Sequence, residues 1–263
     1  MFVERQGWGD EAHLALHGWG GDRTAFAPLA PYVPACASLY SADLPGCGQS
    51  PPPREWSAAA IVEEVVEAAR SLEASRVSLV GNCGGAVYAL LAAKALGTRV
   101  VRVTMIDPFA YLPRYFRLFL AGDFGRRAYN ATFATPLGRW LTNQTLKSRL
   151  EGGGDLTATF ADADHDAARR HLAIFDEIGR VEIFRGMETP VEILYGEKTF
   201  GAVRRSLALW RDVLPHAYLR ELKGAGHLPL TEATAQVAEV IFGTSGVTIG
   251  AANARAAGSG DGK

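Results

Sequence analysis

Short apolar runs of strand length alternate along this chain with stretches whose apolar residues recur at helical spacing. His13–His17 is a strand candidate that ends in Gly18-Trp-Gly-Gly21, and Ala37–Ala42 is a second, ending in Asp43-Leu-Pro-Gly-Cys-Gly-Gln-Ser50. Ser57 is placed to cap a helix running to about Ala74, because Ile61, Val62, Val65, Val66, Ala69 and Leu72 fall on one face. Val77–Val80 predicts a buried strand, Gly84–Leu96 a helix stopped by Gly97, and Val100–Ile106 a strand closed by Asp107-Pro108. Towards the end come a strand at Val191–Tyr195, a helix at about Val203–Leu214, a strand at Ala217–Leu222 and a helix at about Glu232–Phe242. Strand–helix alternation of this kind predicts an α/β fold with a mostly parallel sheet and helices on both faces.

Between Tyr111 and Glu188 the alternation stops, and the texture becomes helical, with eight aromatic residues from Tyr111 to Trp140. The pattern divides the chain into a core at 1–110 and 189–243, an inserted helical cap at 111–188, and a Gly/Ala/Ser-rich C-terminal tail at 244–263 expected to be mobile. Within the cap, Gly152-Gly-Gly154 reads as a hinge.

Composition narrows the function. The chain has 263 residues, 48% hydrophobic and 21% charged, with a formal net charge of −1. That is globular composition, with no global charge to attract nucleic acid. No apolar run approaches the ~18–20 residues of a membrane helix. Three cysteines, Cys36, Cys47 and Cys83, are too few and odd in number for a disulfide framework. Together with an N-terminus lacking a signal-like apolar segment, they predict a cytoplasmic protein. The near-neutral balance hides an uneven cap: residues 111–150 carry seven basic side chains against one acid, and residues 151–188 nine acids against four bases. The basic half has two readings, a solvated helix face or a landing surface for an anionic carrier such as coenzyme A or an acidic carrier protein.

The sharpest chemical signal is Val80-Gly-Asn-Cys-Gly-Gly85. A strand ends, one residue is presented, and a helix begins at once, with glycines two before and two after the central Cys83. This is the G-x-nucleophile-x-G elbow. The turn brings strand and helix backbones together, so larger flanking side chains clash. The thiol then stands at a helix start, where free N–H groups and the positive end of the dipole favour thiolate. His227, in Gly224-Ala-Gly-His-Leu-Pro229 between a strand and the last helix, is placed to act as its base. Asp162-Ala-Asp-His-Asp166 is read as an acidic helix start, and no metal or organic cofactor is implied.

On four stretches in order, the chain resembles the α/β-hydrolase superfamily: His17–Gly21, Asp43–Ser50, Gly81–Gly85 and Gly224–Pro229. A Cys at the elbow is similar to the Cys–His–Asp sites of dienelactone hydrolases and polyhydroxyalkanoate synthases. The resemblance implies an α/β-hydrolase fold and acyl chemistry on an ester or thioester. It also implies an oxyanion hole from the N–H groups of Trp19 and Gly84, with His17 bracing its loop. Trp19, Asn82, Tyr111, Tyr115 and Phe116 are the candidate substrate-pocket residues. The acid departs from pattern. Thr199 occupies the position where the family commonly has Asp, in Tyr195-Gly-Glu-Lys-Thr-Phe200. Asp107, at the end of the strand before the cap in a position resembling the alternative acid site of haloalkane dehalogenases and some lipases, is the acid expected, with Glu197 or no carboxylate at all as alternatives. The expected activity is Cys-dependent acyl (thio)ester hydrolysis through an acyl-Cys intermediate. Acyl transfer to another acceptor, lactone or C–C bond hydrolysis, and a non-catalytic binding protein are the alternatives.

Overall fold

The structure is a computed structural model, and it describes residues 1–147 and 154–243. Its centre is a seven-stranded sheet in the order β1-β3-β2-β4-β5-β6-β7. The strands are β1 (Val3–Gln6), β2 (Glu11–Leu16), β3 (Ala37–Ala42), β4 (Val77–Asn82), β5 (Val100–Ile106), β6 (Val191–Gly196) and β7 (Tyr218–Leu222). All neighbours are parallel except β1, which pairs antiparallel with β3 at one edge. The parallel α/β architecture expected from the pattern is the one observed.

Both faces of the sheet are buried, and the strands divide their side chains between them. Leu14, Leu16, Leu79, Met105 and Ile193 enter one core cluster, while Ala15, Val80, Ile106 and Leu194 enter the other. This is the period-two alternation of a strand with apolar neighbours on both sides. Helices α1 (Ala58–Ser71) and α2 (Gly85–Leu96) cover the first face. A 3-10 segment at Arg23–Tyr32 and the last helix contribute Phe26, Leu29, Val237 and Ile241 to the second. Between β5 and β6 lie a single turn α3 (Arg114–Arg117) and helices α4 (Gly122–Tyr129), α5 (Pro136–Lys147) and α6 (His165–Ile178). After β6 come α7 (Gly201–Val213), a short α8 (Pro229–Glu232) and α9 (Thr234–Phe242).

Several boundaries differ from expectation for identifiable reasons. β1 is short, largely polar and at an edge, so its sequence carries no apolar alternation. α1 stops at Ser71 rather than near Ala74 because the chain turns extended at Leu72. The Arg99 guanidinium then takes the carbonyls of Ala69 and Ala74 at 3.1 and 2.9 Å. The last helix is broken at Ala233, which leaves the helical region with φ −140° and ψ 39°. α6 begins where the acidic run predicted: Asp164 caps it by accepting from the N–H groups of Asp166 and Ala167. The Gly152-Gly153 part of the expected hinge and the 244–263 tail lie outside the described residues.

Candidate active site

The elbow is built as the spacing demanded. β4 runs into Asn82, Cys83 follows with φ +50°, and α2 starts at Gly85. The Cys83 N–H donates to Ile106 O at 2.8 Å, tying the turn to the end of β5. A methyl group at Gly81 would stand 2.3 Å from Ala86 Cα, and one at Gly85 would stand 2.3 Å from Leu16 O. Both contacts are with backbone, which cannot yield, so these positions require glycine. Cys83 is half-buried, whereas Cys36 is exposed and Cys47 buried. Burial pushes the Cys47 thiol up to about 12, so it is inert at neutral pH.

Asp107 follows directly after β5, with φ +49° and no exposed surface. A positive φ at a non-glycine residue is strained and is found at positions the surroundings over-determine. The surroundings here are three donors. Asp107 Oδ1 accepts from the Gly196 N–H at 3.0 Å. Its Oδ2 accepts from both the Thr199 hydroxyl and the His227 Nδ1–H. The imidazole is oriented by that bond, with Phe200 and Phe109 packing on it at ring separations of 4.7 and 5.5 Å. That bond leaves Nε2 free, and Cys83 packs on the same apolar cluster as Phe109 and Phe200, the two rings that flank the imidazole. Burial pulls the His227 pKa down, but the hydrogen bond to Asp107 and the nearby Cys83 outweigh it and raise the pKa to about 10. Asp107 and His227 are hydrogen-bonded, and Cys83 lies in the cluster beside them.

Glu197 goes elsewhere. It is half-buried, and its carboxylate accepts from the Gly224 N–H at 2.8 Å, with the Lys223 ammonium at 4.0 Å. Two further groups that sequence reasoning missed hold the same region. Thr199, which cannot serve as a charged acid, is a hydrogen-bond donor to the acid. Glu232 Oε2 accepts from Gly226 N at 2.7 Å and Leu228 N at 3.2 Å, clamping the backbone on both sides of His227. The spacing Gly226–Glu232 was the available signal.

The loop after β2 lies against the elbow: a methyl group at Gly18 would come 3.1 Å from Cys83 Cβ and 3.3 Å from the Asn82 side chain. Trp19 N lies 4.0 Å from where a Gly84 methyl would stand, so the Trp19 and Gly84 backbones border one space. His17 braces this loop, with Nε2 accepting from Leu44 N at 3.0 Å and Nδ1–H donating to Gly18 O at 2.8 Å. The Trp19 ring points into the helical insertion, packing on Phe116, Phe133 and Phe160 at 5.1, 5.1 and 4.8 Å, and its Nε1–H donates to Ala168 O at 2.8 Å. Tyr111 packs beside Cys83 and Phe200, and its hydroxyl accepts from Arg205 at 3.2 Å. Tyr115 stacks on Phe116 but is 58% exposed. A second link ties α6 to the core: His171 Nε2–H donates to Pro45 O at 2.9 Å, and its Nδ1 accepts from the Tyr88 hydroxyl at 3.0 Å. Part of the insertion's basic charge is met locally, by Arg117–Asp176 at 2.8 Å and Arg126–Asp123 at 3.0 Å. Among the described residues no cluster of three or more metal-ligating side chains occurs, and no helix is long and apolar enough to cross a membrane.

A strand–Cys–helix elbow beside an imidazole and a buried carboxylate, at the carboxyl end of a mostly parallel sheet, is the architecture of the α/β-hydrolase fold. The model of the alpha/beta hydrolase family matches residues 14–240, and the chain belongs to that family. It is 30% identical over 115 residues to a probable serine hydrolase of Drosophila melanogaster. That match covers 40% of this chain and 34% of the other, so it spans about a third of the curated relative. Among solved structures, a putative non-heme bromoperoxidase of Mycobacterium tuberculosis is similar with a TM-score of 0.73 at 15% identity, over 92% of this chain and 94% of that one. A thermophilic esterase of Thermogutta terrifontis is similar with a TM-score of 0.71 at 19% identity, over 91% and 90%. At these identities the structural likeness concerns the fold. Where the curated relative's name specifies serine, this chain carries Cys83 at the elbow.

Proposed function

We propose that the protein hydrolyses a small acyl ester or thioester through a covalent acyl-Cys83 intermediate. The observation that carries this reading is Cys83 presented on the elbow with φ +50°, in the same cluster as the rings that flank a His227 hydrogen-bonded to the buried Asp107. In the proposed cycle the thiol proton resides on His227 Nε2, and the sulfur attacks the substrate carbonyl carbon. The C=O π electrons move onto oxygen, held by the N–H groups of Trp19 and Gly84. One such donor is worth ~2.7–4 kcal/mol of transition-state stabilisation. Collapse of the tetrahedral species breaks the bond to the leaving alkoxide or thiolate, which takes the proton from His227. Water then gives a proton to Nε2 and attacks the acyl-Cys carbonyl. The second collapse releases the carboxylic acid and returns sulfur to its starting state. Asp107 keeps the Nδ1 proton in place and balances the imidazolium charge.

A thioester intermediate also suits acyl transfer to an acceptor other than water, which is the second reading. The feature that favoured a non-catalytic protein, Thr199 in the usual acid position, is offset by Asp107 beside His227. The test is intact mass after incubation with short acyl thioesters, including coenzyme A thioesters, and activated esters, with turnover read in parallel. An acyl adduct that is absent in Cys83→Ala, followed by release to water, is the expected result. An adduct that is stable until a nucleophile is added would favour transfer. Neither adduct nor turnover with any member would end the catalytic reading.

A further inference from the structure

Thr199 stands where an acid was expected, and its hydroxyl donates to the same carboxylate oxygen that receives the His227 proton. Asp107 has no exposed surface, so solvent supplies it with no donor. Its plane is set by three donors alone, and two of them come from one turn: the Gly196 N–H on Oδ1 and the Thr199 hydroxyl on Oδ2. The turn is closed by Thr199 N to Gly196 O at 3.2 Å. It is also stitched to the segment that carries the base. Glu197 N donates to Leu222 O at 3.0 Å, Lys198 N donates to Ala225 O at 2.8 Å, and Glu197 Oε2 accepts from Gly224 N at 2.8 Å. At Gly196 a methyl group would come 2.0 Å from Gly226 O, so the two backbones are in contact.

We infer that Thr199 is a positioning residue, which through the Gly196–Thr199 turn holds the Asp107 carboxylate in register with His227. The inference rests on the proposed roles of Cys83, His227 and Asp107. A carboxylate held by His227 and Gly196 alone is free to rock about its last torsion, and its Oδ2 then leaves the imidazole plane. Threonine suits the task because branching at Cβ restricts χ1, so its hydroxyl is aimed before the bond forms. The 196–199 turn thus touches the acid with two donors and the base's loop with three bonds, and it fixes one against the other.

The test uses Thr199→Val, which keeps the shape and removes the donor, and Thr199→Ser, which keeps the donor. Both are made in a Cys36→Ser background so that Cys83 is the accessible thiol. Two readouts are followed: the rate of Cys83 alkylation by iodoacetamide at neutral pH, and the far-downfield proton resonance of His227 Nδ1–H. Loss of one hydrogen bond to a buried charge predicts alkylation slowed about tenfold in the Val variant, with the resonance broadened or lost. The Ser variant should stay within about twofold of wild type with the resonance intact. Wild-type behaviour in the Val variant, or a fall in Ser as large as in Val, overturns the inference. If the Val variant does not fold, Thr199→Ala compared with Ser is read by the same criteria. A wild-type Cys83 that reacts no faster than it does in the unfolded chain sinks the nucleophile reading and this inference together. An activated Cys83 that is indifferent to Thr199→Val sinks only the role of Thr199.

Discussion

Asp107→Asn is the substitution with the clearest consequence. It conserves shape while removing the charge, and it converts one acceptor oxygen into an NH2 donor. The Gly196 N–H, 3.0 Å from Oδ1, is a fixed backbone donor, so the Asn carbonyl must stay on that side. The NH2 then faces His227 Nδ1 and the Thr199 hydroxyl. Thr199 can rotate its proton away. His227 can meet the new donor only by moving its own proton to Nε2, the nitrogen that serves Cys83. The hydrogen bond to Asp107, together with the nearby Cys83, raises the His227 pKa to about 10 against burial and so favours imidazolium. Without Asp107 the imidazolium loses its carboxylate partner, and the neutral ring is held in the wrong tautomer. The equivalent change in a serine triad costs about 10⁴ in kcat. A thiol depends less on its base, so the expected loss in kcat/KM on an activated ester is about 10²–10³-fold. The assay is steady-state hydrolysis of a p-nitrophenyl ester, with Cys83 alkylation as the substrate-independent check. Glu197→Gln should change neither by more than about twofold, because its carboxylate serves the exposed Gly224 N–H. Activity of Asp107→Asn within about threefold of wild type, or an equal loss in Glu197→Gln, would refute the assignment of the acid.

The remaining predictions concern the scaffold. Gly85→Ala should fail to fold or lose more than about 3 kcal/mol, since its methyl would meet Leu16 O and His17 O at 2.3 and 2.4 Å. Gly84→Ala has its nearest neighbour, Trp19 N, at 4.0 Å and should fold normally by circular dichroism; equal melting temperatures for the two would contradict the elbow geometry. Glu232→Ala removes the acceptor for Gly226 and Leu228 and should cost about 1–3 kcal/mol, with faster amide exchange over residues 224–228. Unchanged exchange there would mean the loop is held by other contacts. Burial holds His13 and His171 neutral, with pKa values lowered from 6.5 to about 4. Their contribution to stability is present above pH 6.5 and lost as the pH falls towards 4, by up to about 1.4 kcal/mol per pH unit for each group. Urea titrations across that window should show the decline, and His171→Gln should make it shallower, leaving the His13 share; a wild-type curve level from pH 6.5 to 4 would exclude this linkage.

What was legible in the sequence was whatever depends on neighbours in the chain. The elbow was readable because Gly81, Cys83 and Gly85 must satisfy one tight turn, and the turn's sterics are local. The parallel sheet was readable because strands buried on both faces leave short apolar runs between helical periods. α6 was found from its acidic start because capping acts within one turn of the helix. Edge strand β1 was not found, since it pairs through backbone alone and needs no apolar side chains.

The acid lay beyond local reasoning. Asp107 and Glu197 each follow a strand end, and both looked plausible along the chain. The contact that distinguishes them joins residues 120 apart in sequence, His227 and Asp107. It exists because β5, β6 and β7 lie side by side in that order, which brings the end of β5 under the loop after β7. The same adjacency turned Thr199 from an apparent defect into a donor to the acid, and it turned Glu197 and Glu232 into braces of the loop that holds His227. Residue types and close spacing determined the Gly81–Gly85 elbow. Only the packing of distant strand ends decided which carboxylate faces the imidazole, because charge and hydrogen-bond reach act through space over a few ångströms and are indifferent to distance along the chain.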